Sequence, residues 1–351
     1  MATTYKNLLN SDFTSNKTLL HESIPITGTI VSGTYAENNI KNFSHGMFQS
    51  VYDYPYLSSS ANHIFDITVG YSNESNLSSS TNVQNKQKIN IYNEMSQLLV
   101  GYDITGSIQQ FDEDGDIAAG GTKIQEAIFV NMARLLTKDE VKKGSFIFKA
   151  QTGSVNSLPT DTLTINDASG SNGYKVNSPA GEYGVLYVSA VETVSDPWWD
   201  VGDPCGLIYY QAGIAVLTAS VFQNFGTYGV GVSNPLVGSM NAFLTGTAIS
   251  GNCEAFRNRF NNLAYNNTTE LNSTIYFCRA NHNEFNYSTN PTYLSGSKIV
   301  VKNNTQENPL SYITSIGLYS ADNELLAVAK LSEPIKKDPT TELTFRVRLD
   351  Y

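Results

Sequence analysis

The chain has 351 residues and a formal net charge of −10, from 22 Lys and Arg against 32 Asp and Glu. Its charged fraction is 15%, against roughly 25% in an ordinary soluble domain, and Asn, Ser, Thr, Gly and Tyr fill the gap (26 Gly, 21 Tyr). An aromatic content of 11% argues against disorder, the scarcity of Glu, Lys, Ala and Leu argues against a coiled coil, and the acidic balance argues against a nucleic-acid partner.

The first residues, MATTYKNLLNSDFTSNK, hold no basic stretch followed by an apolar one, so no secretory signal is expected. Leu19 to Ser32 contains a strand-like run, punctuated by Gly33-Thr34-Tyr35 and Asn38-Asn39. Gly46 to Gly70 is aromatic and Ser-rich, with Pro55 and Ser58-Ser59-Ser60, and reads as irregular, packed backbone. Two helices are expected next. Over 84–100, Ile89, Tyr92, Met95 and Leu98/Leu99 recur at helical spacing; over 123–136 the stripe is Ile124, Ala127/Ile128, Met132 and Leu135/Leu136. Thr122 is the N-cap expected for the second, and Thr137-Lys-Asp-Glu140 matches a capping box for a further short turn.

From Ser145 to about Gly251 the pattern is that of β-structure. Ser145–Ala150 and Thr162–Ile165 alternate, Asp167–Gly173 is a turn cluster, and Val185–Val191 is a further strand. Gly206 to Phe222, the longest apolar stretch, falls short of the ~20 residues of a spanning helix. It reads as two buried strands around a Gln211-Ala212-Gly213 turn. A third helix is expected over 253–265, with Phe256, Phe260 and Leu263 on one face. Strands return at Ser273–Arg279, in a hairpin of Tyr312–Tyr319 and Leu325–Lys330 around Ser320–Glu324, and at Leu343–Asp350. In the last, Leu343, Phe345, Val347 and Leu349 face one way and Thr344, Arg346, Arg348 and Asp350 the other.

Motifs with catalytic or ligand chemistry are sparse. Cys205, Cys253 and Cys278 form an odd set without metal spacing and read as reduced, mostly buried thiols. His282 follows Cys278 by four residues, but in a strand that places the two about 13 Å apart on one face. Asp112, Asp114 and Asp116 alternate like the first ligands of a calcium loop, yet glycine and the bidentate Glu are missing from their required positions. These three are weak calcium candidates, and an acidic turn is the favoured reading. Asp196, Asp200 and Asp203 around Trp198-Trp199 have the chemistry of a sugar subsite, but a structural plug or partner anchor is the favoured reading, since Trp is favoured at interfaces. Gly231-Val-Ser233-Asn-Pro235 departs from a nucleophile elbow, Gly229-Val-Gly231 from a dinucleotide fingerprint, and no phosphate loop occurs. No enzyme and no cofactor is expected.

Several segments resemble a virion structural protein of contractile-tailed marine bacteriophages of the cyanophage and pelagiphage type. They are Leu20-His-Glu-Ser-Ile-Pro-Ile-Thr27, Ser44-His-Gly-Met-Phe-Gln-Ser-Val-Tyr-Asp-Tyr-Pro-Tyr-Leu57, Val176-Asn-Ser-Pro-Ala-Gly-Glu-Tyr-Gly184, Asn267-Thr-Thr-Glu-Leu-Asn-Ser-Thr-Ile-Tyr-Phe277 and Phe285-Asn-Tyr-Ser-Thr-Asn-Pro-Thr-Tyr-Leu294. The hairpin Ile316–Lys330 is similar to strand–turn–strand units of tail-fibre and baseplate proteins. The resemblance implies a non-enzymatic part of the particle, in the baseplate or fibre-attachment region first and the neck or capsid decoration second. It implies assembly in the host cytoplasm, other virion proteins as partners, a homo-oligomer, and neither nucleic acid nor membrane. A glycan-binding or depolymerising tail protein is the alternative.

The expected fold is α+β: a β-rich core of antiparallel sheets or a sandwich, flanked by about three helices. Residues 1–150 are expected to form a mixed N-terminal part, 151–205 an inserted β subdomain, and 206–351 a β-rich part packing with the first. The interface candidates are Phe48, Tyr52, Tyr54, Tyr56, Trp198, Trp199, Tyr319 and Phe345, because amphipathic rings bury contact area with little loss of rotamer freedom.

Overall fold

The computed structural model of the chain describes residues 5–25, 39–116, 121–151, 162–192, 200–222, 244–287, 294–295, 298–299 and 310–351. The chain divides into a larger unit, Leu20–Thr269, and a smaller one made of Met1–Leu19 and Glu270–Tyr351. In chain order the strands are β1 (Phe13–Pro25), β2 (Ile40–Asn42), β3 (Gln49–Tyr52), β4 (His63–Tyr71), β5 (Phe111–Asp112), β6 (Lys123–Ile124), β7 (Glu126–Met132), β8 (Glu140–Val141), β9 (Ile147–Gln151) and β10 (Thr162–Asn166). There follow β11 (Lys175–Ser178), β12 (Gly181–Glu192), β13 (Pro204–Tyr209), β14 (Ile214–Thr218), β15 (Phe260–Ala280), β16 (Leu294–Ser295), β17 (Lys298–Ile299), β18 (Ser311–Tyr319), β19 (Leu325–Lys337) and β20 (Leu343–Asp350). The α-helices named here are α1 (Asn85–Leu99), α2 (Arg134–Thr137), α3 (Gly170–Gly173) and α4 (Ile249–Arg259), of which α2 and α3 are single turns.

In the larger unit the first half of β15 opens a sheet that continues β9-β10-β12-β13-β14-β7-β4-β3-β2. Every pairing with a given register in it is antiparallel. The β-rich α+β expectation therefore holds at the level of one large antiparallel sheet with helices. Strands β10 and β12, from the 151–205 stretch, lie in the interior of this sheet.

The central strands β13, β14 and β7 are buried on both faces. One face carries an aromatic cluster in which Tyr92, Phe111, Phe129 and Tyr209 meet mostly edge-on. On the other face Phe65 stacks on Phe260, and Phe148 and Phe256 complete the group. Each such ring removed from water contributes about 1.5–3 kcal/mol.

The expected helix over 84–100 is α1, though its buried face is turned: Lys88, Ile91, Tyr92 and Leu99 are inside, while Leu98 is exposed. Lys88 is fully buried and donates to the carbonyls of Leu244 and Thr247, and burial lowers its ammonium to about 8. The helix expected over 123–136 is instead β6 and β7, followed by the single turn α2. Ala127–Val130 is a continuous apolar run, so it satisfies a helical period and a strand alike. Placed between β4 and β14 and covered on both sides, its β-branched and aromatic residues take the strand.

Thr122 consequently caps no helix. The capping box at Thr137–Glu140 does not form either: the Thr137 hydroxyl bonds back to the carbonyls of Ala133 and Arg134, and Glu140–Val141 is β8. The third helix, expected over 253–265, is α4 and stops at Arg259. Phe260 turns into β15 where asparagines begin to compete with helical backbone bonds. The stretch 46–70, expected to be irregular, holds β3 and β4; residues 46–48 and the loop between the two strands are the irregular parts.

Other expectations agree. The turn after β13 is built on Gly213 at φ +68°, a region that favours glycine. The three cysteines are free, Cys205 and Cys253 fully buried and Cys278 half-buried.

In the smaller unit, the second half of β15 pairs with β20 from Ser273↔Asp350 to Ala280↔Leu343, and β1 lines its other edge. Strand β20 alternates as expected, with Leu343, Phe345, Val347 and Leu349 on the more buried face. Strands β18 and β19 form a separate two-stranded hairpin. Its turn is held by Ser320 N–H to Glu324 carbonyl at 2.8 Å.

Candidate functional site

Strands β2, β3 and β4 end the larger sheet, and α1 crosses β4 there. At Gly70 the helix comes so close that a Cβ would lie 2.7 Å from the Lys88 carbonyl oxygen and 2.9 Å from Tyr92 N. Farther along, Ile91, Glu94 and Met95 face Asp66, Thr68, Phe129 and Asn131 across a cleft of about 380 Å³. His45, Met47 and Phe48 complete its wall.

The period-2 geometry of the strands explains which side chains reach the cleft. Ser50 pairs with Asp66, Asp66 with Asn131 and Thr68 with Phe129, so these share one face. Val51, Phe65, Ile67 and Val69 take the other face, and all four are buried.

The lip of the cleft is aromatic. Phe43 stacks on His45 with centroids 5.2 Å apart, and Phe48 lies against both at 4.6 and 5.1 Å. Lys41 Nζ sits 4.9 Å from the Phe43 centroid, within reach of a cation–π attraction. Farther along the same edge, Tyr52 contacts Tyr56 and His63 at 6.3 and 5.4 Å. The loop carrying Tyr54 and Tyr56 is tied by Asp53, whose carboxylate accepts from Tyr54 N at 2.8 Å, Asn62 N at 2.6 Å and Asn62 Nδ2 at 2.8 Å.

The polar groups beside the cleft bond to one another. Asp66 Oδ1 lies 2.8 Å from His63 Nε2 and accepts from Ser50 Oγ at 2.5 Å. The hydroxyl thus points at the carboxylate and not at the imidazole, so no serine–histidine–carboxylate relay is formed. Thr68 Oγ1 donates to the Met47 carbonyl at 2.6 Å, tying the lip to β4. What the cleft offers is an apolar floor, a stacked aromatic lip and the carboxylates of Asp66 and Glu94.

The acidic turn after β5 is organised differently from a calcium loop. Asp112 is buried and ion-pairs with Lys123 opposite it in β6. Its Oδ1 also accepts from Asp114 N at 3.2 Å, and Asp114 Oδ1 accepts from Asp116 N at 2.8 Å. The carboxylates of Asp112 and Asp114 are thereby spent on the turn, and among the described residues no group of three or more His, Cys, Asp or Glu could hold a metal. Burial, then the charges of Asp112, Asp203 and Asp114, push the Glu113 carboxyl up to about 7.

Of the interface candidates, Phe48, Tyr52 and Tyr56 come together on the β2–β4 edge, and Tyr54 is exposed on the adjoining loop. Tyr319 and Phe345 belong to the smaller unit: Tyr319 packs edge-on against Tyr5 at 5.0 Å, and Phe345 faces Cys278 across the β15–β20 ladder. His282 lies 3.2 Å from Glu342, so Cys278 and His282 each have their own neighbour. Trp198, Trp199 and Asp196 lie outside the described residues.

Phe43, Met47, His63, Asp66, Glu94 and Asn131 were not expected at a site from the sequence, and Met95 was read there only as a core position of the helical stripe. One signal existed: in His63–Tyr71, Asp66 and Thr68 alternate with Phe65, Ile67 and Val69, which marks a polar row on a strand. The helical side of the cleft had no such mark.

No protein-family profile matches the chain, and no curated protein or solved structure matches it.

Proposed function

We propose that this protein is a non-enzymatic structural component of a bacteriophage virion, in the baseplate or fibre-attachment region, and that it works by docking against other virion proteins. One observation carries the reading. The segment Ser44–Leu57, which resembles virion structural proteins, supplies His45, Met47 and Phe48 of the cleft wall together with the Tyr52, Tyr54 and Tyr56 row. A stacked aromatic lip over an apolar floor suits the anchor of a partner side chain, since interface energy concentrates in aromatic residues held in pockets. The mutual bonding of Ser50, His63 and Asp66 favours a fixed edge over a reacting one. The low charge agrees, because Lys and Glu are disfavoured where a surface is to be covered.

The test is replacement of Phe48 and Tyr56 by alanine, followed by measurement of how much of the chain enters assembled particles. Truncating interface aromatics costs more than about 1 kcal/mol each, so incorporation is expected to fall roughly tenfold or more while circular dichroism stays unchanged. Normal incorporation of a folded double variant would overturn the assignment of this edge.

A further inference from the structure

The two units differ sharply in what they bury. Among the described residues the contiguous apolar core lies within Leu20–Thr269. Among the described residues of the smaller unit, the buried apolar side chains are those of Ala280 and Val347 alone. The same unit exposes fifteen large apolar side chains, Leu326 at 69% and Val328 at 53% among them. A unit of this size needs a core to hold its fold, and a two-stranded hairpin such as β18–β19 is marginal by itself in water.

Charge separates the units as well. The smaller unit carries ten Lys and Arg and ten Asp and Glu, so it is neutral. The larger carries twelve against 22, which is the whole net charge of −10. Strand edges add a third feature: among the described residues β20 pairs with β15 alone, and β18 and β19 with each other alone. Among the described residues each of the three therefore has one edge with no pairing strand, the kind of edge that templates pairing with another chain.

We infer that the smaller unit is a self-association module, and that the surface covering its apolar faces is the same unit of further copies of this chain. Its neutrality selects this occupant. A foreign partner is steered by a net field of opposite sign, and this unit carries no net charge, whereas like copies of a neutral unit meet without net repulsion. The area suffices: fifteen large side chains at about half exposure present on the order of 1,000 Å², against about 800 Å² per partner in a standard interface. The inference names a partner for the docking reading and places it on a surface other than the cleft.

Sedimentation velocity and native mass measurement on the full chain test it. The wild type is expected at a multiple of 38.4 kDa from micromolar concentration upward. Leu326→Glu with Val328→Glu is expected to return it to a single copy, and Leu326→Glu alone to weaken association at least tenfold. Tyr54→Glu, in the larger unit, is expected to leave the mass of the assembly unchanged. A wild type that stays at one copy, or an assembly that survives both hairpin variants, would overturn the inference. A single-copy wild type that still enters particles would refute self-association and leave docking standing; a self-associated chain that enters none would do the reverse.

Discussion

Asp167 is the carboxylate on which the larger unit's stability should depend most visibly on pH. It is 1% exposed. Its Oδ2 accepts from Gly144 N at 2.7 Å and from Tyr210 Oη at 3.2 Å, and its Oδ1 accepts from Phe146 N at 2.9 Å. Those bonds favour the ionised form, but burial outweighs them and raises the carboxyl from 3.8 to about 6. In the folded state the proton is therefore held up to about pH 6, while the unfolded chain releases it near 4. Its contribution is complete below the unfolded value and is lost as pH rises through the folded one, a change of roughly 3 kcal/mol.

Asp167→Asn keeps an acceptor for Gly144 and Tyr210 and turns an amide N–H toward Phe146 N–H, a loss of about 1–3 kcal/mol. At pH 4 the variant should be less stable than the wild type by that amount. At pH 7.5 it should be equal or more stable, because it carries no charge to bury. Urea titrations followed by near-ultraviolet circular dichroism at the two pH values give the difference. A variant whose effect is the same at pH 4 and pH 7.5 would refute the reasoning.

Glu113 works in the same direction, its carboxyl held up by burial and three neighbouring carboxylates. Wild-type stability should fall between about pH 4.5 and 7 on its account. Glu113→Gln should flatten that fall, by less than Asp167→Asn because Glu113 is partly exposed and screened, as melting temperatures at pH 5 and 7.5 would register. Gly70→Ala sets a methyl against the α1 backbone at 2.7 and 2.9 Å. The helix must shift, at a cost of about 1–3 kcal/mol, readable as a lower urea midpoint. An unchanged midpoint would mean that α1 does not lie as close to β4 as described.

Where local and tertiary preferences agreed, the elements were legible from residues alone. The strand Leu343–Asp350 alternates cleanly, and the paired strands around Gln211–Gly213 combine a buried apolar run with a turn glycine. The failures share one physical origin. Ala127–Val130 is apolar at every position, and a run that is buried on both faces carries no period, so spacing could not separate helix from strand. The helix–strand junction at Phe260 was hidden for a related reason, since Phe256 and Phe260 sit four apart and suggest one helical face across the break.

For the site, the aromatic residues of 48–56 lie on the edge of the sheet that borders the cleft. The half supplied by α1 did not show, because Met95 reads as core in the helical stripe and Glu94 carries no local pattern; both line the cleft where α1 packs on β4 near Gly70. Lys88 shows the limit most plainly. A lysine in a helical stripe reads as solvated, yet here it closes two carbonyl bonds from a fully buried position. In the acidic triplet Asp112, Asp114 and Asp116, spacing alone left two readings open, a turn first and a calcium loop second; the structure adds that two of the carboxylates accept from backbone N–H groups and that Asp112 also pairs with Lys123.

The measurement that bears most directly on the docking account is a reconstruction of the intact particle in which this chain is traced. The account predicts several copies meeting through β18–β20, and the Phe43–Phe48 lip and Tyr52–Tyr56 row covered by neighbouring subunits. Particles that lack the chain, or that carry it with both surfaces open to solvent, would contradict it.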